Sequence, residues 1–495
     1  MRKGADLMVR PAASVVLVRQ DGRVLWVRRG DQLRFAGGFY AFPGGRVDVD
    51  DAAVPLANAG RLEPDEQPCI AAAARELFEE TGVLLVPGIL RGERRALRES
   101  LLAGGSFAGF LAARGLSVEA RQFAPAGRWV TPPAMPIRFD ARFYLVDLPA
   151  GEEVEIWPGE LVDGEWIAPA EALRRWEAGS ALLHPPVWHT LKALAHVAQP
   201  RDALPMLQDP SRAPWKLPID EHVVKRIEFQ RGVIMVPLRT PTLPPATHTN
   251  CFLLGDDELW VVDPGSPWPE EQQILRDTLQ RLEEEGRKAV GVIFTHHHQD
   301  HVGGATALGL PIAATAQTRE MLDLRIDKVI EDGELLEAGP RGWRMLHLPG
   351  HTRGHLCLVE EGSGAVIAGD LVAGVGTVII DPPEGDMAEY LGSLDRLMEQ
   401  KPGTLYPAHG PVVPAGEARL QEYRAHRLER EGRVLAALGG EPATAAELVP
   451  GAYPDVAPEL YPLAERSLLA HLIKLVREGR ASERGGRYFL PAVRN

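Results

Sequence analysis

Two clusters in this 495-residue chain combine residue types and spacings suited to holding cations. The first is Thr295-His296-His297-His298-Gln299-Asp300-His301, directly behind the apolar run Ala289 to Phe294. A buried strand that empties into imidazoles and a carboxylate at alternating positions can wrap first-row metal ions, because His and Asp supply borderline nitrogen and oxygen ligands. A single histidine would be an ordinary core or surface residue. Here His351, Asp370 and His409 follow, in Leu348-Pro349-Gly350-His351, Ile367-Ala368-Gly369-Asp370 and Tyr406-Pro407-Ala408-His409-Gly410, each close behind an apolar strand-like run. The second cluster is Glu76, Glu79 and Glu80, at i, i+3 and i+4 of a helix that the alanines at 71–74 favour. Like charges on one helix face repel unless a cation joins them. Hard divalent ions such as Mg²⁺ or Mn²⁺ suit such oxygens, and a bound diphosphate can complete the coordination. Taken alone, E-x-x-E-E is more often a solvated acidic face.

The elements that must position these groups fall into two series. The first opens with apolar runs Ala12 to Val18 and Val24 to Val27 around a turn at Asp21-Gly22, which predict a hairpin. A Gly- and Pro-rich stretch, Ala36 to Gly45, leads through an acidic loop (Asp48, Asp50, Asp51) into a helix over Pro68 to Glu80, stopped by Thr81-Gly82. Strands near Arg142 to Asp147 and at Trp166-Ile167 precede an amphipathic stretch from Ala170. Gln199 to Pro218 holds five prolines and little periodicity, which predicts a linker. The second series has strands over Gly232 to Pro237, Cys251 to Leu254 and Leu259 to Val262, then alternating strand and helix patterns to about Val413, the signature of a layered α/β fold. A charged helix over Glu417 to Leu438 follows. Helical stretches at Thr444 to Val449 and Ala464 to Glu478, then Gly485-Gly486 before Arg487-Tyr488-Phe489, outline a winged-helix-like module. The expected division is 9–197, a linker 198–222, then 223–413 and 414–495.

Length and composition agree with several domains. Single cores stop growing near roughly 250–300 residues. The chain is 45% apolar and 25% charged, which excludes wholesale disorder, collagen-like repeats and a disulfide scaffold. Cys69, Cys251 and Cys357 are scattered without C-x-x-C spacing and read as thiols of a reducing compartment. No uninterrupted apolar stretch of about 18 residues exists, and the basic N-terminal start has no apolar segment behind it, so the expectation is a cytoplasmic protein with no membrane partner. The formal charge of −14 argues against non-specific coating of nucleic acid. Residues 413–495 are less acidic, with 12 Lys+Arg against 11 Asp+Glu, which permits nucleic-acid contact without demonstrating it.

The histidine cluster resembles the H-x-H-x-D-H signature of the metallo-β-lactamase superfamily, and Val262-Asp263-Pro264-Gly265 resembles its early aspartate motif. The resemblance implies an αββα sandwich with two Zn²⁺ ions. His296, His298 and His351 would hold one, Asp300, His301 and His409 the other, and Asp370 would bridge them. It also implies that an activated water attacks an ester, thioester or phosphodiester, that Asp300 is a catalytic residue orienting that water, and that Asp263 supports a ligand histidine. His297 and His355 fall outside the ligand positions and are expected in supporting roles. Over roughly residues 223–490 the chain is similar to the lactamase-beta-2 branch, whose animal member is a mitochondrial single-strand endoribonuclease. Single-stranded RNA is therefore one candidate substrate. Relatives with the same ligands cleave glutathione thioesters and lactones, so a glyoxalase II-like thioesterase acting on acyl-CoA is the alternative.

Arg75-Glu76-Leu77-Phe78-Glu79-Glu80-Thr81-Gly82-Val83 resembles the second half of the Nudix box, with Pro43-Gly44-Gly45-Arg46-Val47-Asp48 as its glycine entry. The resemblance implies an α/β/α sandwich that splits a nucleotide or coenzyme A diphosphate using Mg²⁺ or Mn²⁺. Glu79 and Glu80 would be ligands, Glu76 a ligand or catalytic base, and Arg75 an orienting partner. Two departures stand out. About 20 residues separate Gly45 from the helix, where the usual box is shorter, and Gln67 stands where it has glutamate. Such insertions occur in the branch similar to peroxisomal coenzyme A diphosphatases, and Leu33-Arg34-Phe35-Ala36-Gly37 resembles its coenzyme A motif. The altered box also leaves open a non-catalytic nucleotide sensor. Arg91, Arg94, Arg95 and Arg98 read first as a solvated basic helix face and second as a phosphate contact. The combined expectation is a bifunctional metal-dependent hydrolase taking a small diphosphate or thioester, or RNA. Its oligomeric state is left open.

Overall fold

A computed structural model describes residues 9–491 except 34, 35, 61, 64, 90, 134, 136, 158 and 340. Two of these, Arg34 and Phe35, belong to the coenzyme A-like motif, which therefore lies outside the described residues. The chain forms two compact units, 1–231 and 232–495. The division comes later than the proline-rich stretch, and the reason is burial. Ala203 and Leu207 sit in the first unit's core, Leu217 and Ile219 pack against it, and Ile219–Asp220 and Val223–Val224 extend its sheet.

In the first unit the strand Arg10–Val18 is central. It pairs in parallel with Phe139–Asp147 and antiparallel with Gly44–Arg46, and meets Val24–Arg29 at a hairpin. Strand alternation divides its side chains. Val15 and Leu17 pack with Ala71, Ala74, Leu77 and Phe78 of the helix Glu66–Thr81, while Val16 and Val18 pack with Leu191 and Leu194 of the helix Pro185–His196. Helices thus cover both faces of a mixed sheet, giving the expected α/β/α sandwich. Gly82 ends the glutamate helix in the left-handed conformation at φ 71°, as its sequence position predicts.

The second unit packs two sheets between helices. One runs Val233–Arg239, His248–Leu254, Glu258–Val262, Lys288–Ile293, Ile312–Thr315 and Lys328–Ile330, with Pro269–Glu284 on its core through Leu275 and Leu282. The other runs Leu335–Ala338, Arg341–His347, Leu356–Glu360, Val366–Gly369 and Leu405–Pro407. Met387–Glu399 and Gly416–Ala437 cover it through Tyr390, Leu394, Leu397 and Leu420. The C-terminal elements are Ala445–Ala452, Tyr461–Arg477 and the hairpin Ser482–Arg484 with Arg487–Phe489. They share a core with Val434 and Leu438 of the long helix, and Ala470 joins the core beneath the second sheet. The winged helix is therefore part of this unit rather than a tethered appendage.

Candidate functional site

The predicted ligands of the second unit lie just past the carboxyl ends of strands. Asp263 follows Glu258–Val262, His296 to His301 follow Lys288–Ile293, His351 follows Arg341–His347, Asp370 follows Val366–Gly369 and His409 follows Leu405–Pro407. Close packing brings these ends together. A Cβ on Gly265 would come within 1.7 Å of the Asp300 carbonyl oxygen, and one on Gly350 would lie 2.3 Å from the Tyr390 backbone. Asp263 itself sits at φ 52°, an unfavourable left-handed backbone for a side chain. It is held there by the Thr295 N–H (2.8 Å), the Thr295 hydroxyl (2.6 Å) and His301 Nδ1 (2.8 Å).

These contacts fix the imidazole tautomers. His301 donates through Nδ1 to Asp263, His351 through Nδ1 to the Ile379 carbonyl (2.9 Å), and His409 through Nδ1 to the His248 carbonyl (3.0 Å). The Thr295 hydroxyl gives its proton to Asp263 and so accepts from His296 Nδ1 at 3.0 Å. With those contacts made through Nδ1, each of these four rings turns its Nε2 toward its neighbours. His296 Nε2 and His351 Nε2 lie 3.0 and 3.2 Å from His298 Nδ1. His409 Nε2 is 3.4 Å from both Asp300 and Asp370, while Asp370 is 3.7 Å from His301 and 3.6 Å from His351. The side chains thus form His296–His298–His351 and Asp300–His301–His409 sets, with ligand atoms of each set within 4.8 Å of one another and Asp370 reaching both.

Electrostatics follows the same division. Burial, reinforced by neighbouring imidazoles, keeps His296 well below the usual histidine range and so neutral. Burial also opposes charge on His409, yet Asp370 and Asp300 outweigh it and carry that imidazole up to about 10. For Asp300, burial is likewise overcome, by His301 and His409, and its carboxyl is held at about 2. The field on the Asp370 side calls for a cation.

Two histidines outside the ligand positions support the site. His355 accepts the Asp370 N–H at Nε2 (3.0 Å), which places its proton on Nδ1 and fixes the Asp370 backbone. His297 pairs with Glu384 at 3.1 Å, a partner that the sequence reading missed. A cleft of about 370 Å³ opens over the ligands. Pro241 to Ala246, Val375, Val378, Ile379, Asp381, Glu384 and Arg466 line it beside His298, Asp300, His351, Asp370 and His409.

In the first unit, the helix carries Glu76, Glu79 and Glu80 on one face, but the described glutamates form no three-ligand group within 4.8 Å. Arg75 stands among them, 2.9 Å from Glu76 and 3.4 Å from Glu79. Its other edge makes a two-pronged pair with Asp51 at 2.9 and 3.0 Å, and Asp51 is 1% exposed. Gly44 donates its N–H to Glu80 at 2.8 Å, and a Cβ on Gly45 would lie 2.3 Å from Glu76, so the glycine entry packs onto the carboxylates. Burial pushes Glu76 up to about 7 and Glu80 to about 8, where Glu76 adds repulsion. The basic run is corrected in part. Arg98 is buried, donating to the carbonyls of Glu79 (2.8 Å) and Glu155 (3.0 Å) and lying over Trp157, so it braces the helix end rather than meeting solvent. Arg94 pairs with Glu152 and Arg95 with Glu99. Gln67 is exposed.

Strand-end histidines and carboxylates converging between two sheets define a metal-dependent hydrolase class. The chain belongs to the metallo-beta-lactamase superfamily, whose model matches residues 244–316 and 308–409. Residues 8–185 match the NUDIX domain and 444–487 the beta-lactamase associated winged helix domain, so the protein is a hydrolase with all three modules. It is 28% identical over 269 residues to a Beta-lactamase-like protein 2 homolog of Drosophila melanogaster, covering 50% of this chain and 89% of that protein. It is 34% identical over 193 residues to the Atrochrysone carboxyl ACP thioesterase of Aspergillus chevalieri, covering 38% and 60%. With the lactamase-like protein aptB of Emericella nidulans identity is 30% over 227 residues, covering 45% and 68%. Among solved structures, a beta-lactamase domain protein from Burkholderia ambifaria gives a TM-score of 0.49 at 23% identity, covering 54% of this chain and 93% of that one. A NUDIX hydrolase from Alicyclobacillus acidocaldarius gives 0.37 at 31%, covering 41% and 99%. Among the described residues, no helix is long and apolar enough to cross a membrane.

Proposed function

We propose that the chain is a bifunctional hydrolase whose second unit cleaves a small acyl thioester or related ester, and whose first splits a diphosphate. The observation that carries the reading is the convergence of imidazole nitrogens and the Asp300 carboxylate around Asp370 at the floor of a cleft. The residues fit a metal pair. His301 Nε2 and Asp370 Oδ1 are buried with no hydrogen-bond partner among the described residues, and such atoms in a mixed N/O set suit zinc. His296, His298 and His351 would hold one Zn²⁺, Asp300, His301 and His409 the second, with Asp370 between. Bound there, the ions supply an activated water and polarise the carbonyl under attack. Asp300, kept ionised, accepts a hydrogen bond from the attacking water and aims it. Asp263 and Thr295 hold the rings of His301 and His296 in the required tautomers. The apolar loop at Leu243 to Pro245 and Val375 shelters an acyl group.

A thioester suits this cleft better than RNA. Leu243, Pro244, Pro245 and Val375 give it apolar lining that suits an acyl chain, which a ribose-phosphate backbone lacks. The thioesterase name of the Aspergillus relative agrees with this choice. In the first unit, Glu76, Glu79 and Glu80 would hold Mg²⁺ or Mn²⁺, which offset the charge of a diphosphate and activate its attacking water. Arg75, fixed by Asp51, orients Glu76 and Glu79, and Gly44 orients Glu80. Purified protein is assayed against acyl-CoA, single-stranded RNA and a nucleotide diphosphate derivative. Thioester hydrolysis is expected to vanish in His298→Ala and persist in Glu80→Gln, with diphosphate hydrolysis showing the reverse. RNA cleavage lost in His298→Ala, with thioesters untouched by the wild type, overturns the thioester assignment.

A further inference from the structure

Arg466 belongs to the helix Tyr461–Arg477 of the winged-helix module, yet lines the same cleft as His298, Asp300, His351 and Asp370. The other charged side chains of that lining, apart from the histidines, are carboxylates. Arg466 pairs with Asp381, but its side chain remains 50% exposed, so part of its planar fork of N–H donors stays open in the cleft. The group is well placed rather than loosely tethered. Ala470, one turn further along, is buried with Tyr390, Leu394 and Leu420, and Arg477 pairs with Asp386. Two turns further along the helix Lys474 pairs with the buried Glu431 at 2.7 Å. Asp381 is equally fixed, because Gly385 donates to its carbonyl at 2.7 Å and a Cβ on Gly385 would lie 2.5 Å from its nitrogen. The same cleft exposes Leu243 and Val375, at 51% and 39%. Its lining therefore offers apolar surface and one cationic fork beside the candidate reaction centre.

We infer that Arg466 forms an anion subsite, reading a carboxylate or phosphate that the substrate of the second unit carries besides its apolar acyl group. This rests on the reading of that cleft as a thioester hydrolase site. A guanidinium binds either oxyanion through paired N–H groups, and a charged hydrogen bond of this kind discriminates strongly against a neutral analogue. An exposed ion pair contributes little to folding, so replacing Arg466 leaves the unit folded. Two sources supply the anion, the phosphates of a coenzyme A carrier or a carboxylate at the end of the acyl chain.

The experiment uses full-length, zinc-loaded protein with three thioesters: butyryl-CoA, neutral butyryl-pantetheine, and glutaryl-pantetheine. Arg466→Ala is expected to raise KM at least about tenfold for one anionic substrate, leave kcat and the neutral substrate unchanged, and regain part of the loss as Arg466→Lys. A response with butyryl-CoA assigns the phosphate, and one with glutaryl-pantetheine the carboxylate. An unchanged KM for both anionic substrates, or an equal rise for the neutral one, overturns the subsite. If the wild type hydrolyses none of the three, the thioester reading fails and calorimetry tests the subsite separately. Desulfo-coenzyme A and glutarate are titrated into wild type and Arg466→Ala, the first unit being common to both. Loss of one equivalent of either ligand in the variant supports the subsite, and identical binding removes it.

Discussion

In the second unit the candidate ligands come from separate strand ends and meet around Asp370, whereas in the first they come from a single helix and Arg75 stands between them. The first arrangement turns Nε2 atoms inward, with His296, His301, His351 and His409 fixed from behind by Thr295, Asp263 or a backbone carbonyl. The second is partly neutral without metal, because an internal guanidinium offsets two carboxylates and burial favours protons on Glu76 and Glu80. A site built of imidazoles tolerates emptiness poorly only where its carboxylates gather. A site built of glutamates on one helix face needs an internal cation throughout. The difference predicts that the second unit binds metal tightly in a preset geometry, and that the first competes with protons for it.

The largest expected effect breaks the convergence itself. Asp370→Asn removes the carboxylate shared by both ligand sets, and thioester hydrolysis is expected to fall on the order of 10⁴-fold, with metal content reduced by elemental analysis. Diphosphate hydrolysis by the same variant should be unchanged. A variant that keeps its metal and its thioester turnover would show that the ligand sets do not meet at Asp370.

The next effect concerns stability of the first unit. Asp51→Ala takes the two-pronged partner from the buried Arg75 guanidinium, which keeps Glu76 and Glu79, and is expected to cost about 3 kcal/mol, read from denaturant unfolding of the first unit's transition. Smaller again is Asp263→Asn, which withdraws the acceptor that sets the His301 tautomer. Metal affinity should weaken roughly 10- to 100-fold by competitive chelation, while far-ultraviolet circular dichroism stays native. Similar losses in the first unit's activity would mean the two sites are not independent.

The pH dependence has a definite sign. Glu76 and Glu80 have folded-state values raised to about 7 and about 8, above the ordinary value of 4.5. Their contribution to stability is fully present below pH 4.5 and is lost as pH rises through the folded values. In chelator, the first unit's melting midpoint should therefore fall by a few degrees between about pH 5 and 8, and added Mg²⁺ should reverse the fall. A midpoint that is flat across this range, or that rises, contradicts the protonated, metal-free state.

Much of this contrast was legible in the residues. The strands before His296 and Asp370 show as apolar runs because a strand buried on both faces needs continuous apolar sequence. The glutamate face shows because helical spacing is regular. What local pattern does not carry is partnership across long separations. Glu384 is far in sequence from His297, and its carboxylate resembles many others in an acidic chain. Arg98 reads as one of four arginines, and only the fold distinguishes the one turned inward over Trp157. Proline density between 199 and 218 reads as a linker, since it breaks periodicity, yet Leu207 is fully buried. Prolines can end helices without leaving the core.

The smallest expected effect is the most discriminating about the first site. Gln67 occupies the position where a Nudix box has glutamate, and from sequence alone its replacement looks disabling. In the fold, Asp51 takes the Arg75 guanidinium from another direction, through a buried two-pronged pair, while Gln67 is exposed on the helix. The long insertion after Gly45 is what delivers Asp51 there, because its short helical turn Val49–Ala53 places Asp51 inward. Gln67→Glu should therefore change neither diphosphate turnover nor stability beyond about 0.5 kcal/mol. A large gain in turnover would show that the usual glutamate contributes something Asp51 does not. Combining it with Asp51→Ala sharpens the point. If the new carboxylate cannot reach Arg75, the double variant stays as unstable as Asp51→Ala alone. Recovery of stability would mean that the two positions are interchangeable supports for the same arginine.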